Sequence, residues 1–163
     1  MTEPLNPGWW LLFFTALLSV WNAGIIWFTH IAVYPLWPLV DGASFHRYHL
    51  TWWRRMRPSF GPVALMLLCS IAMLWIRPQG VPLEFLVLGI LLQVSVHSLT
   101  IFYWAPIQAA METRQGMSSQ KYRQLMSTHW WRVGFFAAHA ALMLWLVTSS
   151  LSGAMHALFQ GVR

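Results

Sequence analysis

The groups able to do chemistry in this 163-residue chain are few: seven histidines, one cysteine and four carboxylates. His97 and His139 are the most informative, because each lies deep inside a long apolar run. Asn22 stands 11 residues before Val33, His97 11 before Gln108, and His139 10 after His129. At about 1.5 Å per helical residue all three sit about 15 Å inside an apolar layer, near its middle. Gln93, His97, Thr100, Trp104 and Gln108 recur at spacings of 4, 3, 4 and 4, and His129, Arg132, Phe136, His139 and Met143 at 3, 4, 3 and 4, so each set occupies one helix face. Turning both faces inward keeps ionisable groups out of lipid. The chemistry then expected is acid and base work by His97 and His139 on a hydrophobic compound, with Arg132 holding a developing oxyanion. His49 and His129, with His30 and His46, form a second group near one rim; Asn22, Gln93, Thr100, Trp104, Gln108 and His30 are candidate ligand contacts.

The same residues allow two other readings. A mid-layer histidine, asparagine or glutamine also serves as hydrogen-bonding glue between helices, and Arg132 can snorkel to the rim instead of binding an anion. Level histidines on neighbouring helices could be axial ligands to a haem or help hold copper, so His97 and His139 are candidate metal ligands, and the cofactor is open between none, haem and copper. His46 and His49, three residues apart, are a weak metal signal on their own. Of the carboxylates, Glu3, Asp41 and Glu112 fall outside the apolar runs and Glu84 stands at the very start of one, so none lies deep in a span, which disfavours a carboxylate-bridged di-iron centre. Cys69 and the serines have no nucleophile context.

The positioning elements follow from composition. At 58% hydrophobic and only 9% charged, the chain cannot present a water-soluble surface and reads as an integral membrane protein. Its net charge of +6 is spread around apolar runs, pointing to anionic lipid headgroups and not to nucleic acid. The runs predict four spans at about 9–33, 59–76, 82–111 and 130–151 in a single domain, 1–163: an all-α up-and-down four-helix bundle. The first run is too long for a signal segment and is read as a retained helix. Between spans one and two, FHRYHLTWWRRMRP (45–58) is amphipathic and basic; with start signals at Asp41, Gly42 and Ser44 and a stop at Pro58 it predicts an interfacial helix over about 44–57. Ser118 or Ser119 can cap an amphipathic helix running directly into span four, and the tail from 152 is a weak helix at most. Arg47, Arg54, Arg55 and Arg57 in one loop and Arg114, Lys121 and Arg123 in another belong on the cytoplasmic side, which puts both termini outside.

Tyr34-Pro35, Phe45, Tyr48-His49 and Arg54-Arg55, followed by WAPIQAAMETRQGMSSQKYRQLMSTHWWRVGFF (104–136), resemble the small four-helix bacterial membrane proteins related to the anthrone oxygenases. His49, Pro106, Leu125, Trp130 and Arg132 match that pattern; Gln108 stands where a histidine is expected and His129 where an asparagine is common. The resemblance implies a bacterial inner-membrane location and oxidation of a lipophilic aromatic or quinone-like small molecule without an obvious cofactor. The competing expectation is a non-catalytic subunit in a homo-oligomer or a larger membrane assembly.

Overall fold

The computed structural model describes residues 6–113 and 116–160, with side chains of 153–160 excepted; Arg114 of the basic loop lies outside the described residues. The chain is almost entirely helical. Helix α1 (Pro7–Phe28) starts where the Asn6 side chain accepts a hydrogen bond from Trp9 N–H and Pro7 supplies a preset φ. It continues through a π-helical turn, Thr29–Val33, into a 3-10 segment, Tyr34–Leu39. Pro35 removes a backbone donor there and forces the tightening. Asp41 caps α2 (Gly42–Met56) by accepting from Ala43 N–H at 3.0 Å, and Pro58 ends it in a 3-10 turn, Arg57–Ser59. Helix α2 therefore begins two residues earlier than expected, at the anticipated cap.

Helix α3 (Phe60–Ala72) is the main departure. Apolar composition continues to Ile76, but the helix is 13 residues, about 20 Å, and gives way to turns before Arg77-Pro78. Helix α4 (Leu83–Leu99), a second π turn (Thr100–Trp104) and α5 (Ala105–Ala109) form the third run. A two-residue hairpin, β1 (Glu112–Thr113) with β2 (Gly116–Met117), then leads into α6 (Ser119–Gln160), 42 residues long. Ser118 Oγ accepts from Lys121 N–H at the start of α6. The tail does not fade into a weak helix: α6 carries through it as far as Gln160. Three helical runs, Pro7–Leu39, Leu83–Ala109 and Ser119–Ser152, are long and apolar enough to cross a membrane; the expected second span falls short of that length as a helix.

Contacts fix the register. Ser19 meets His139 and His30 meets His129, so α1 and α6 run antiparallel with matching rise; Gln93 meets His139 and Trp104 meets Thr128, so α4 and α6 do the same. Asn22 reaches Pro62 and Asn6 reaches Arg77, which sets α3 antiparallel to α1. The Gly8 and Arg77 backbones touch so closely that a Cβ at Gly8 would lie 2.6 Å from the Arg77 carbonyl. One apolar cluster around Leu12, Met73, Leu86 and Met143 fills the end near the N-terminus. A second, around Tyr34, Trp37, Phe45, Trp104 and Leu125, fills the opposite end, beneath α2. The outer faces carry Trp10, Phe14, Trp21, Phe28, Phe102 and Trp131 exposed, as expected of a surface that meets lipid.

Candidate functional site

The polar interior divides into two layers. In the middle layer His139 is saturated. Gln93 Nε2 donates to His139 Nε2 at 2.7 Å, so that nitrogen is the acceptor, and His139 Nδ1–H donates to Ser19 Oγ at 2.9 Å. Ser19 passes its proton on to the Thr15 carbonyl, and Gln93 also donates to Ser70 Oγ, which bonds the Met66 carbonyl. One imidazole thereby ties α1, α3, α4 and α6 at a single level. Asn22 joins α1 to α3 through Pro62 O at 3.2 Å. His97 does not belong to this network. Its Nδ1 donates to the Gln93 carbonyl of its own helix at 2.6 Å, and its Nε2 is buried without a partner.

The expected pairing of His97 with His139 as ligands to one haem or metal does not fit this arrangement. Both nitrogens of His139 already serve hydrogen bonds, and one metal held by both rings would have to break them. Among the described residues no group of three or more histidine, cysteine or acidic side chains is placed to hold a metal ion.

The second layer gathers His30, His129, Arg132, Trp104 and Gln108, with Tyr34 added. Arg132 is only 7% exposed. Its guanidinium lies over the Trp104 ring at 4.5 Å, and Nη1 donates to His129 Nε2 at 3.4 Å. Because arginine only donates, His129 Nε2 must accept, which puts the His129 proton on Nδ1, where it bonds His30 Nδ1 at 3.1 Å. The two imidazoles stack, ring centroids 5.2 Å apart. Tyr34 is buried edge-on to His129, accepts from Gln108 Nε2 at 2.7 Å, and its hydroxyl faces Arg132. Among the described residues the only ion pairs are those of Glu112, so Arg132 has no carboxylate.

His49 stands apart from this layer, behind Trp37 and Trp52. The expected rim group of four histidines is thus split: His30 joins His129, whereas His46 and His49 both bond Glu112, His49 Nδ1 at 2.7 Å from Oε1. Trp53 Nε1 donates to His49 Nε2 at 3.2 Å, leaving Nδ1 to carry the proton given to Glu112. A metal at that Nδ1 would need it bare, so this cluster is a clamp from α2 to the hairpin. Partial burial works to raise the Glu112 pKa, but hydrogen bonds from His49 and His46 and their charge outweigh it and hold the carboxyl below the usual range.

Two cavities adjoin the second layer. One, of about 270 Å³, is lined by Val63, Ala64, Val96, His97 and Phe136; the other, of about 230 Å³, by Thr29, Tyr34, Trp52, Trp53 and Gln108. They share Ile26, Phe60, Thr100, Ile101 and Arg132 as walls, so the two lie side by side as a cleft divided at Arg132. Phe60 and Ile101 are exposed on the outer apolar surface, which places the mouth between the start of α3 and the π turn Thr100–Trp104.

Residue types alone do not single out Tyr34, Ser19, Ser70 or Glu112. A signal for Ser19 is present in retrospect: Thr15, Ser19, Asn22 and Thr29 stripe one face of α1 at helical spacing. Glu112 carries no such signal, because its partners come from α2, more than sixty residues away.

Comparison with protein-family models, with curated proteins and with solved structures finds no match to this chain.

Proposed function

We propose that this chain is an inner-membrane four-helix up-and-down bundle with both termini outside, whose cleft binds a lipophilic aromatic or quinone-like small molecule reaching it from the bilayer. The observation that carries the reading is Arg132: a buried guanidinium, without a carboxylate among the described residues, in the wall of both apolar cavities. A cation so placed is costly for packing alone. Either cavity alone is a little smaller than the roughly 300–1,000 Å³ of ordinary small-molecule sites, and a ligand spanning both across their shared walls would have room within that range. Tyr34, His97 and Gln108 supply the few polar groups that orient a mostly apolar ligand. Oxidation of that ligand is the reaction the anthrone oxygenase resemblance implies.

The test is saturable quenching of tryptophan fluorescence by a panel of quinones and polyaromatics, with the full chain in lipid nanodiscs. Trp52 and Trp53 line the cleft and report its occupancy. Saturable quenching that disappears in Ala64→Trp, which fills the cleft from its wall, is the expected result. Quenching that rises linearly with concentration, as in empty nanodiscs, would overturn the pocket and leave the packing-subunit reading.

A further inference from the structure

Resting on that pocket, the geometry points to a ligand that is a lipophilic weak acid, its acidic oxygen shared between His97 and Arg132. The cleft holds two buried polar atoms that nothing in the protein satisfies. His97 Nδ1 faces a carbonyl, which can only accept, so the ring proton sits on Nδ1 and Nε2 is left as a bare acceptor. Arg132 uses Nη1 on His129 and its flat face on Trp104, and Nε–H has no acceptor. Both side chains line the 270 Å³ cavity. The remaining polar wall there is Thr100, whose hydroxyl proton is spent on the Val96 carbonyl.

One lone acceptor and one cationic donor in an otherwise apolar chamber define the complement: a group that offers a hydrogen and accepts one at an oxygen with acidic character. A carboxylic acid or a hydroxyarene does both. A quinone carbonyl meets Arg132 but leaves His97 Nε2 unmatched, and an amine is repelled by the guanidinium. The body of the ligand extends past Ile101 and Phe60 into the second cavity, against Trp52 and Trp53.

The test compares each acid with its own methyl ester or ether on the wild-type chain in nanodiscs, so that no variant needs to fold: 2-naphthol with 2-methoxynaphthalene, and palmitic acid with methyl palmitate, read by tryptophan quenching against empty discs. The expected result is an acid that binds at least about tenfold tighter than its methylated partner, the size of one good charge-assisted hydrogen bond. Discrimination confined to the naphthol pair identifies a hydroxyarene, and discrimination confined to the palmitate pair a fatty acid. In His97→Leu the preference of acid over methylated partner falls to within about threefold, and His97→Gln, which restores an acceptor, recovers part of it. Equal binding of acid and ether overturns the weak-acid inference and leaves the pocket standing; no saturable binding by any probe overturns the pocket itself.

Discussion

His97 and His139 are alike in residue type and in expected depth, yet replacing each with alanine should cost very unequal amounts of stability. His139→Ala removes two interhelical hydrogen bonds, to Ser19 and Gln93, and strips Ser19 of its only donor from another helix. Interhelical hydrogen bonds in membrane proteins contribute about 0.6–1.7 kcal/mol each. The vacated, fully packed imidazole space adds about 1–2 kcal/mol, for a total of roughly 2–5 kcal/mol. At about 2–4 °C per kcal/mol for a chain of this size, Tm falls by roughly 5–15 °C. His97→Ala removes one bond to a carbonyl of its own helix and also removes an orphaned acceptor, so its loss stays under about 1 kcal/mol. The assay is thermal unfolding in detergent followed by a thiol-reactive dye, since Cys69 is the single cysteine and is buried until the helices part. A Gln93→Leu variant should be strongly non-additive with His139→Ala, because both cut the same link. Equal Tm losses for His97→Ala and His139→Ala would refute the assignment of His139 as the tie between helices.

Other outcomes follow from particular contacts. Glu112 is held below its usual pKa by His46 and His49, so its clamp on α2 stabilises fully above the ordinary glutamate value of about 4.3 and is lost as pH falls through the lower folded value. Differential scanning fluorimetry on tryptophan emission should show that acid-side loss in the wild type and not in Glu112→Gln. Gly8→Ala drives a methyl into the Arg77 backbone and should lower Tm more than Gly89→Ala, where the new methyl crowds the flexible end of Met143 at 2.9 Å and meets the His139 ring at an ordinary 3.5 Å. Gly116 combines φ of +109° with a Cβ position 2.6 Å from Gly42 Cα, so Gly116→Ala should loosen α2 and raise protease cleavage between α2 and the hairpin.

Much of the frame is legible because periodicity and composition are local properties. The Asp41 cap, the stop at Pro58 and the Ser118 cap all follow from spacing along one helix at a time. Where the reading departs, the cause is not local. Apolar composition carries the expected second span through Met73–Ile76, but the turns before Pro78 take those residues out of the helix. Rim histidines sort by partner, and the partner of His46 and His49 is a glutamate more than sixty residues later. Spacing predicts one depth for His97 and His139, but the register between helices levels His139 with Ser19 and Gln93 and leaves His97 a turn further along α4.

The site itself owes its place to two prolines. Pro35 and Pro106 each lack a backbone donor, and in each case a five-residue π turn lies just ahead, Thr29–Val33 and Thr100–Trp104. A π turn inserts one residue into the helical count and rotates everything beyond it relative to the face before it. In α1 it lets His30 turn toward His129 while Tyr34, just past it, swings under Arg132. In the third run it carries Trp104 beneath the guanidinium and Gln108 to Tyr34, while Gln93, before the turn, still faces His139. Gln93, before the turn, and Trp104 and Gln108, within and beyond it, thus meet partners in two different layers of one helical run.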